Sequence, residues 1–263
     1  MSNNLHQKLQ IAIEAARAAG SIIASARPES VRTKSGAIDL VTEVDLAAEK
    51  AIMEILRRDD PQTAVLSEES EVDVTAASRW VVDPLDGTTN FVHGYPAYSV
   101  SIALESQRGA EVAVVLDVPG DRLYHAGRDG GAFCNGNPIR VSEVETLSEA
   151  LIGTGFAYDR REKADFYLKI FGAVMRQVQG LRRSGSAALD LAAVASGRLD
   201  GFWEFNLRPW DVAAGLLLVQ EAGGAVGPVP GRTLGGAWVS PLLSNGRIHD
   251  ELEDLLRDAV EGP

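Results

Sequence analysis

Two carboxylates three positions apart follow an apolar run within residues 80–91, which read WVVDPLDGTTNF. Asp83 ends the apolar run, and Asp86 opens a Gly-Thr-Thr turn that suits the start of a helix. Carboxylate and carbonyl oxygens, here including the carbonyl of Leu85, favour Mg²⁺ or Mn²⁺ over zinc. Free backbone N–H groups at a helix start attract an anion such as phosphate. The segment therefore indicates a site where a divalent cation and a phosphate group meet.

Further acids stand at the ends of other apolar elements. Glu68 and Glu69 follow the apolar run 64–66, and Asp211 heads an apolar segment that suits a helix. An Asp-x-x-Asp-Gly sequence alone is more often an ordinary turn, and Asp211 could simply cap its helix. Several such acids together favour a shared metal site. Because side chains alternate along a strand, it stays open which of the two glutamates faces that site.

The elements around these acids follow from hydrophobic periodicity. Apolar residues at helical spacing predict a helix over 5–26, and a capping box formed by Thr42 and Asp45 predicts the start of a second helix. Between residues 80 and 135, five short runs separated by Gly-rich or polar turns favour an antiparallel meander. The rest of the chain alternates strands and helices, including a helix predicted over 164–180 and a strand near Val239, which suits a layered α/β half.

Composition limits the class of protein. At 263 residues the chain can form one large or two small domains, and we place a soft boundary between residues 1–145 and 146–263. The 45% hydrophobic and 24% charged content, without a long apolar run or a signal-like N-terminus, predicts a cytoplasmic protein that does not enter a membrane. The single cysteine, Cys134, and four scattered histidines argue against disulfide, redox and zinc chemistry.

The net charge of −12 argues against nucleic-acid binding as the function, because affinity for a phosphate backbone needs clustered Lys and Arg. An acidic protein that binds a phosphate monoester still needs local positive charge. A cluster of carboxylates supplies it indirectly by recruiting divalent metal ions. The acids and an anionic substrate are therefore compatible if Mg²⁺ is the cofactor.

Three separated motifs make the chain resemble the inositol monophosphatase family over nearly its whole length. In chain order they are residues 67–70 (SEES), 83–91 (DPLDGTTNF) and 210–215 (WDVAAG). Residues 34–45 look like the family's mobile catalytic loop, while residues 183–188 and 202–204 look like its substrate segments. The resemblance implies a layered α+β fold, an alternating αβαβα sandwich. Its N-terminal sheet is antiparallel-rich, its C-terminal α/β half is smaller, and the active site lies between them.

The resemblance also implies roles for individual residues. The metal ligands would be Glu68, Asp83, Leu85 (through its carbonyl), Asp86 and Asp211, holding two or three Mg²⁺ ions, with Mn²⁺ as a substitute. The catalytic residues would be Glu68, Asp45 and Thr88, the last two orienting the attacking water and accepting its proton. The substrate contacts would be Asp86, Gly87, Thr88, Gly185, Ser186, Ala187, Glu204 and Asp211. Lys34 and Asp39 would support a third metal from a mobile flap. Plainer roles stay open for Asp45 as a helix cap and for Glu204 as a strand-end carboxylate.

The function we expect is Mg²⁺-dependent hydrolysis of a phosphate monoester by metal-activated water. The resemblance favours myo-inositol 1-phosphate as substrate, and it implies a homodimer and inhibition by Li⁺. One alternative keeps the chemistry but acts on a nucleotide 3′-phosphate, fructose 1,6-bisphosphate or histidinol phosphate. Another is a regulatory binding protein that acts with transcription machinery, a role that the resemblance attaches to some bacterial relatives.

Overall fold

The computed structural model describes residues 3–27, 31–33, 40–70 and 76–262. The helices of this part of the chain are α1 (Asn3–Ser25), α2 (Glu43–Asp59), α3 (Thr88–Val92), α4 (Ala164–Met175), α5 (Ala187–Ala195), α6 (Pro209–Glu221) and α7 (His249–Glu261), with a 3₁₀ turn at Leu147–Glu149. The strands are β1 (Val31–Thr33), β2 (Leu40–Thr42), β3 (Ala64–Ser67), β4 (Ser78–Asp86), β5 (Ser99–Ser106), β6 (Gly109–Asp117), β7 (Arg122–Gly127), β8 (Ala132–Cys134), β9 (Asn137–Pro138), β10 (Leu151–Thr154), β11 (Gly180–Arg182), β12 (Gly201–Trp203), β13 (Ala225–Pro228) and β14 (Pro241–Ser244). Lys34 and Asp39, predicted to support a third metal, lie outside the described residues.

The first β layer is a seven-stranded sheet in the order β3-β4-β5-β6-β7-β8-β9. Only β3 and β4 run parallel, and every other neighbouring pair is antiparallel, which confirms the predicted meander. Strand β4 is buried on both faces: Trp80 and Val82 face one core, and Val81 faces another. Because successive side chains point to opposite faces, helices must cover both sides of this sheet.

Helices α1 and α2 cover the outer face of the seven-stranded sheet. They pack against each other, and their apolar faces meet residues such as Ile102 and Val114 of the sheet. Helix α2 begins as the capping box predicts: the Thr42 hydroxyl accepts the Val44 N–H at 3.1 Å, and Asp45 accepts the Thr42 N–H at 2.9 Å. This cap fixes the position of Asp45, which is 1% exposed.

Helices α5 and α6 form the middle layer, between the two sheets. Leu191 of α5 and Leu217 of α6 share one core with Val115 of the first sheet and with Phe202 and Leu243 of the second. The second sheet has five strands in the order β11-β10-β12-β14-β13. Helices α4 and α7 cover its outer face. The predicted αβαβα sandwich is thus confirmed, whereas the division at residue 145 stays a prediction because the middle helices pack on both sheets.

One predicted element boundary was wrong. The helix predicted over 164–180 ends at Met175, because the backbone N–H groups of Gln179 and Gly180 donate to the Ala150 carbonyl and the chain then pairs as β11. The strand predicted near Val239 is β14, which begins at Pro241, and Val239 itself forms an isolated bridge with Leu207.

No helix of the described ranges is long and apolar enough to cross a membrane.

Candidate active site

The parallel strands β3 and β4 carry acids to the same edge of the seven-stranded sheet. Their register aligns Ser67 with Val82, and the Glu68 N–H donates to the Val82 carbonyl at 3.1 Å. Glu68 therefore leaves β3 beside Asp83 of β4. Parallel neighbouring strands end at one edge, so two acids 15 positions apart in sequence become neighbours.

An irregular pairing turns both aspartates of β4 toward one cavity. Asp83 pairs with Ser101 and Asp86 with Ser99, so three steps along β4 oppose two steps along β5. Such an extra residue is a β-bulge, which bends the strand and re-aims its side chains. Pro84, which has no N–H to donate to the ladder, lies within the bulge. The Asp83 carboxylate accepts the Leu85 N–H at 3.0 Å and thereby stabilises the turn.

Helix α3 begins at Thr88, in the turn after Asp86, as predicted. Gly87 precedes it with φ +92°, and a Cβ there would lie 2.8 Å from the Ala97 carbonyl oxygen, so this close turn requires glycine. The first helical residue, Thr88, places its hydroxyl 3.0 Å from both Asp45 Oδ1 and the Leu85 carbonyl oxygen. A hydroxyl has one hydrogen to donate, so these two acceptors compete for it.

Asp45 makes two kinds of contact, because it caps helix α2 and also accepts a hydrogen bond from Thr88. Its Oδ2 atom accepts the Thr42 N–H and hydroxyl, at 2.9 and 2.6 Å, while its Oδ1 atom accepts from Thr88. A helix cap and a contact to the site therefore coexist in one carboxylate. Asp45 lies behind Thr88 and outside the cavity lining.

The second half of the chain contributes two helix N-termini. The Asp86 carboxylate accepts the Ser186 hydroxyl at 2.5 Å and the Ala188 N–H at 2.8 Å, so the start of α5 rests on the end of β4. Asp211, in the first turn of α6, accepts the Arg208 N–H at 2.8 Å. Here too the capping role considered for Asp211 is present, and the residue still lines the cavity.

These elements enclose a cavity of about 690 Å³. Apart from Asp45, every candidate site residue within the described ranges lines it. The lining candidates are Glu68, Asp83, Leu85, Asp86, Gly87, Thr88, Gly185, Ser186, Ala187, Glu204 and Asp211. Both members of the glutamate pair line the cavity. The charge of Glu68 raises the pKa values of Asp83, Asp86 and Asp211.

Burial and mutual repulsion raise the pKa values of the aspartates. For Asp83 and Asp211, burial raises the pKa well above the ordinary value, and the charge of Glu68 is the next cause. Burial also raises the pKa of Asp86 to about 6, although the hydrogen bonds from Ser186 and Ala188 oppose the rise. The three aspartates form no ion pair with a Lys, Arg or His of the described chain.

This donor set fits a hard divalent cation. It consists of oxygen atoms only, from the buried Asp83, from the partly buried Glu68, Asp86 and Asp211, and from the Leu85 carbonyl, and Mg²⁺ and Mn²⁺ prefer such ligands. Among the described residues, no three Asp, Glu, His or Cys side chains converge into a ready-made metal cluster. The carboxylates therefore share a cavity without closing on one point, and the metal site stays a prediction.

We expect the metal-free protein to lose stability as the pH rises from about 4 to 8. The raised pKa values mean that the folded chain holds protons that the unfolded chain has released, so the free energy of unfolding falls with rising pH in this window. Added Mg²⁺ should restore stability at pH 8, because a bound ligand favours the folded state. Thermal unfolding in EDTA across this pH range, repeated with Mg²⁺, measures both effects. A melting temperature that rises with pH in EDTA would contradict this electrostatic interpretation.

The far wall of the cavity holds Glu204, directly after β12. Burial raises its pKa to about 8, while the positive charge of Arg183 opposes the rise. A Cβ on Gly155 would lie 2.1 Å from Glu204 Oε2, so the carboxylate fits only because residue 155 is glycine. Arg160 and Arg183 also line the cavity, and the charges of both lower the pKa of Glu204.

Three residues without a predicted role support the site. The Asn90 side-chain amide donates to the carbonyls of Ala97 and Ser184, at 2.7 and 2.9 Å, and so joins α3 to the loop before α5. Burial raises the pKa of Asp190 to about 7, and the residue accepts the Ser184 hydroxyl at 2.7 Å. Glu49 accepts the Ser70 hydroxyl at 2.8 Å, just beyond the glutamate pair. Asp190 could have been singled out from the sequence, because it is the one polar residue of the helix AALDLAAVA.

A family model, curated relatives and solved structures match this chain along nearly its whole length. A sequence model described as the Inositol monophosphatase family matches residues 4–261. The Inositol-1-monophosphatase of Synechocystis sp. is 44% identical over 258 residues, which cover 97% of this chain and 90% of that protein. Nus factor SuhB of Escherichia coli (strain K12) is 43% identical over 268 residues, which cover 96% of this chain and 100% of that protein. The solved structure of an inositol monophosphatase from Anabaena (Nostoc) sp. PCC 7120 is 44% identical, with a TM-score of 0.87 over 97% of both chains.

Proposed function

Because the chain belongs to the inositol monophosphatase family, we propose that this phosphatase hydrolyses myo-inositol 1-phosphate to myo-inositol and phosphate with the help of Mg²⁺. One observation carries the proposal: Glu68, Asp83, Asp86 and Asp211 line the same cavity as Glu204 and residues 185–187. Carboxylates that can bind cations thus share a cavity with groups that can form hydrogen bonds to the hydroxyls of a leaving group.

The proposed metal ligands divide into two sets. Glu68, Asp83 and the Leu85 carbonyl would hold one Mg²⁺, and Asp83, Asp86 and Asp211 a second, with Mn²⁺ as a substitute. Bound Mg²⁺ supplies Lewis-acid chemistry: it neutralises the phosphoryl oxygens, makes water more acidic and stabilises the departing alkoxide. A third ion supported by Lys34 and Asp39 remains part of the proposal.

Thr88 and Asp45 would manage the proton of the attacking water. The Thr88 hydroxyl has two acceptors, and if the Leu85 carbonyl were to bind a cation, Thr88 would donate its hydrogen to the other one, Asp45 Oδ1, 3.0 Å away. The lone pairs of Thr88 Oγ1 then accept a hydrogen bond from the water and orient it toward phosphorus. Asp45 accepts the proton through Thr88, as a general base does. This scheme needs no covalent intermediate with the protein.

Residues of the second half would bind the leaving group. The Glu204 carboxyl can accept hydrogen bonds from ring hydroxyls, and its contact with Gly155 places it firmly in the cavity wall. Gly185 has φ +91° and no side chain, so the backbone of residues 185–187 can approach a polyol closely. Gly87 and the start of α3 would lie beside the phosphate.

Other phosphate monoesters fit the same chemistry. A nucleotide 3′-phosphate, fructose 1,6-bisphosphate and histidinol phosphate are the alternatives, because the proposed metal and water roles do not depend on the leaving group.

Phosphate release from a panel of esters tests the proposal. Myo-inositol 1-phosphate, fructose 1,6-bisphosphate, adenosine 3′,5′-bisphosphate and histidinol phosphate should be compared with Mg²⁺, with Mn²⁺ and in EDTA. We expect the highest kcat/KM for myo-inositol 1-phosphate and no turnover in EDTA. Preference for another ester would retain the mechanism but change the substrate. Turnover that persists in EDTA would contradict the proposed metal dependence.

A second candidate is a regulatory role with transcription machinery. Relatives named Nus factor SuhB are 42 to 47% identical to this chain, about as similar as those named Inositol-1-monophosphatase. Affinity capture from the source cell separates the two functions. A stoichiometric macromolecular partner that also binds the Asp83→Asn variant would support the regulatory role, and capture of no such partner would count against it.

The resemblance also supports a cytoplasmic homodimer that Li⁺ inhibits. A chain of 28.0 kDa would then show twice that mass by light scattering.

A further inference from the structure

A half-exposed tryptophan stands in the wall of the active-site cavity. Trp238 is 50% exposed and lines the cavity together with Asp211 and Glu204. The other three tryptophans, Trp80, Trp203 and Trp210, are at most 6% exposed. Isolated exposed apolar residues are common on protein surfaces and need no explanation. Trp238 differs because its indole lies at the site and is held in a defined position.

Arg208 holds this indole. The guanidinium carbon of Arg208 lies 3.8 Å from the centroid of the Trp238 ring and 5.6 Å from that of Trp210, and Arg208 Nη1 donates to the Ala237 carbonyl at 3.4 Å. A cation over an indole face is attracted by the ring quadrupole. The guanidinium therefore covers one face of Trp238, and half of the residue stays accessible.

Backbone hydrogen bonds connect the stacked pair Trp238 and Arg208 to Asp211, a proposed metal ligand. Leu207 and Val239 exchange backbone hydrogen bonds of 2.8 and 2.9 Å, which fixes the segment carrying Trp238 against the one carrying Arg208. The Arg208 N–H in turn donates to Asp211. A substrate whose phosphate lies near Asp211 would thus place its leaving group beside the indole of Trp238.

We propose that Trp238, backed by Arg208, is a specificity-determining residue that packs against the ring of the leaving group. An indole face complements the apolar C–H groups of a ring, while Glu204 and the 185–187 backbone complement its hydroxyls. A short acyclic ester reaches the phosphate end without covering the indole. The site therefore favours cyclic over acyclic phosphate monoesters. This inference rests on the proposed phosphatase function and names the feature of the substrate that the site selects.

The test compares a cyclic substrate, myo-inositol 1-phosphate, with an acyclic one, glycerol 2-phosphate. Trp238→Ala should raise KM for the cyclic ester by about three- to tenfold, the size expected for one lost aromatic contact. KM for glycerol 2-phosphate and kcat for both esters should stay near the wild-type values. Trp238→Phe keeps an aromatic face and should restore most of the discrimination. Tyr95→Ala is the matched control, since Tyr95 is 56% exposed but lies outside the cavity lining.

The possible results separate the two ideas. If the wild-type protein hydrolyses neither ester with Mg²⁺, the proposed phosphatase function is refuted, and the specificity role of Trp238 with it. If it hydrolyses both and Trp238→Ala changes the two KM values by the same factor, the role of Trp238 in specificity is refuted. A lowered melting temperature with an unchanged ratio of the two kcat/KM values would show that Trp238 only stabilises its loop.

Discussion

Asparagine in place of Asp83 should lower Mg²⁺-dependent phosphate release by about a thousandfold or more, because metal-ion catalysis contributes several kcal/mol and each tenfold in rate corresponds to about 1.4 kcal/mol. Asp83 is the carboxylate assigned to both proposed metal ions, and it is 1% exposed. The neutral amide has nearly the same shape, and its oxygen can still accept the Leu85 N–H. The loss would therefore come from the missing charge and not from a disrupted turn.

The same substitution should stabilise the metal-free protein at pH 8. Burial and the charge of Glu68 raise the pKa of Asp83, so its ionised form is disfavoured in the folded chain, and a neutral side chain removes that penalty. Activity assays and thermal unfolding, each with and without Mg²⁺, measure both effects. Asp129→Asn is a suitable control, because Asp129 is exposed and its φ of +58° suits asparagine. Wild-type turnover in folded Asp83→Asn protein would exclude this residue from the metal site.

Thr88→Ala should lower kcat by about 10²–10⁴-fold, the usual contribution of a positioned proton-transfer group. Alanine is well tolerated at the start of a helix, so α3 should still form. The Asp45 cap on α2 does not depend on Thr88, since Thr42 occupies the other carboxylate oxygen. Mg²⁺ affinity should change little, because Thr88 is assigned to the water and not to the metal.

Two measurements distinguish this role from a structural one. Calorimetric Mg²⁺ titration of wild-type and Thr88→Ala protein should give similar affinities, while their kcat values differ. Thr88→Ser retains the hydroxyl and should keep most of the activity. An unchanged kcat in Thr88→Ala would remove Thr88 from the mechanism, and a large loss of Mg²⁺ affinity would instead assign it to metal binding.

These predictions share one physical basis. The buried acids are costly for the folded chain when no cation is present, because like charges repel and burial disfavours ionisation. Bound Mg²⁺ would relieve this repulsion, and the energy released would contribute to the affinity for the ion. A site of this kind should therefore exchange stability for function, so that neutral variants are more stable and less active.

The local features of this protein could be predicted from the sequence, because neighbouring residues determine them. The capping box at Thr42 and Asp45 specified the start of α2, and the turn after Asp86 specified the start of α3. Short runs separated by Gly-rich or polar turns predicted the strands of the meander, and the family resemblance indicated the αβαβα layers. The helix predicted to reach residue 180 was too long, because pairing of β11 with the remote strand β10, which periodicity does not reveal, decided where the helix ends.

Only the tertiary structure decided how the site is assembled. The bulge between β4 and β5, the contact of Asp45 with Thr88 and the seating of α5 on Asp86 join residues that are up to 102 positions apart. The stack of Arg208 on Trp238 likewise depends on the bridge between Leu207 and Val239. Sequence determined which chemical groups this protein carries. Their distances, burial and shifted pKa values arise only when sheet pairing and helix packing bring remote segments together, since these properties depend on neighbours in space and not in the chain.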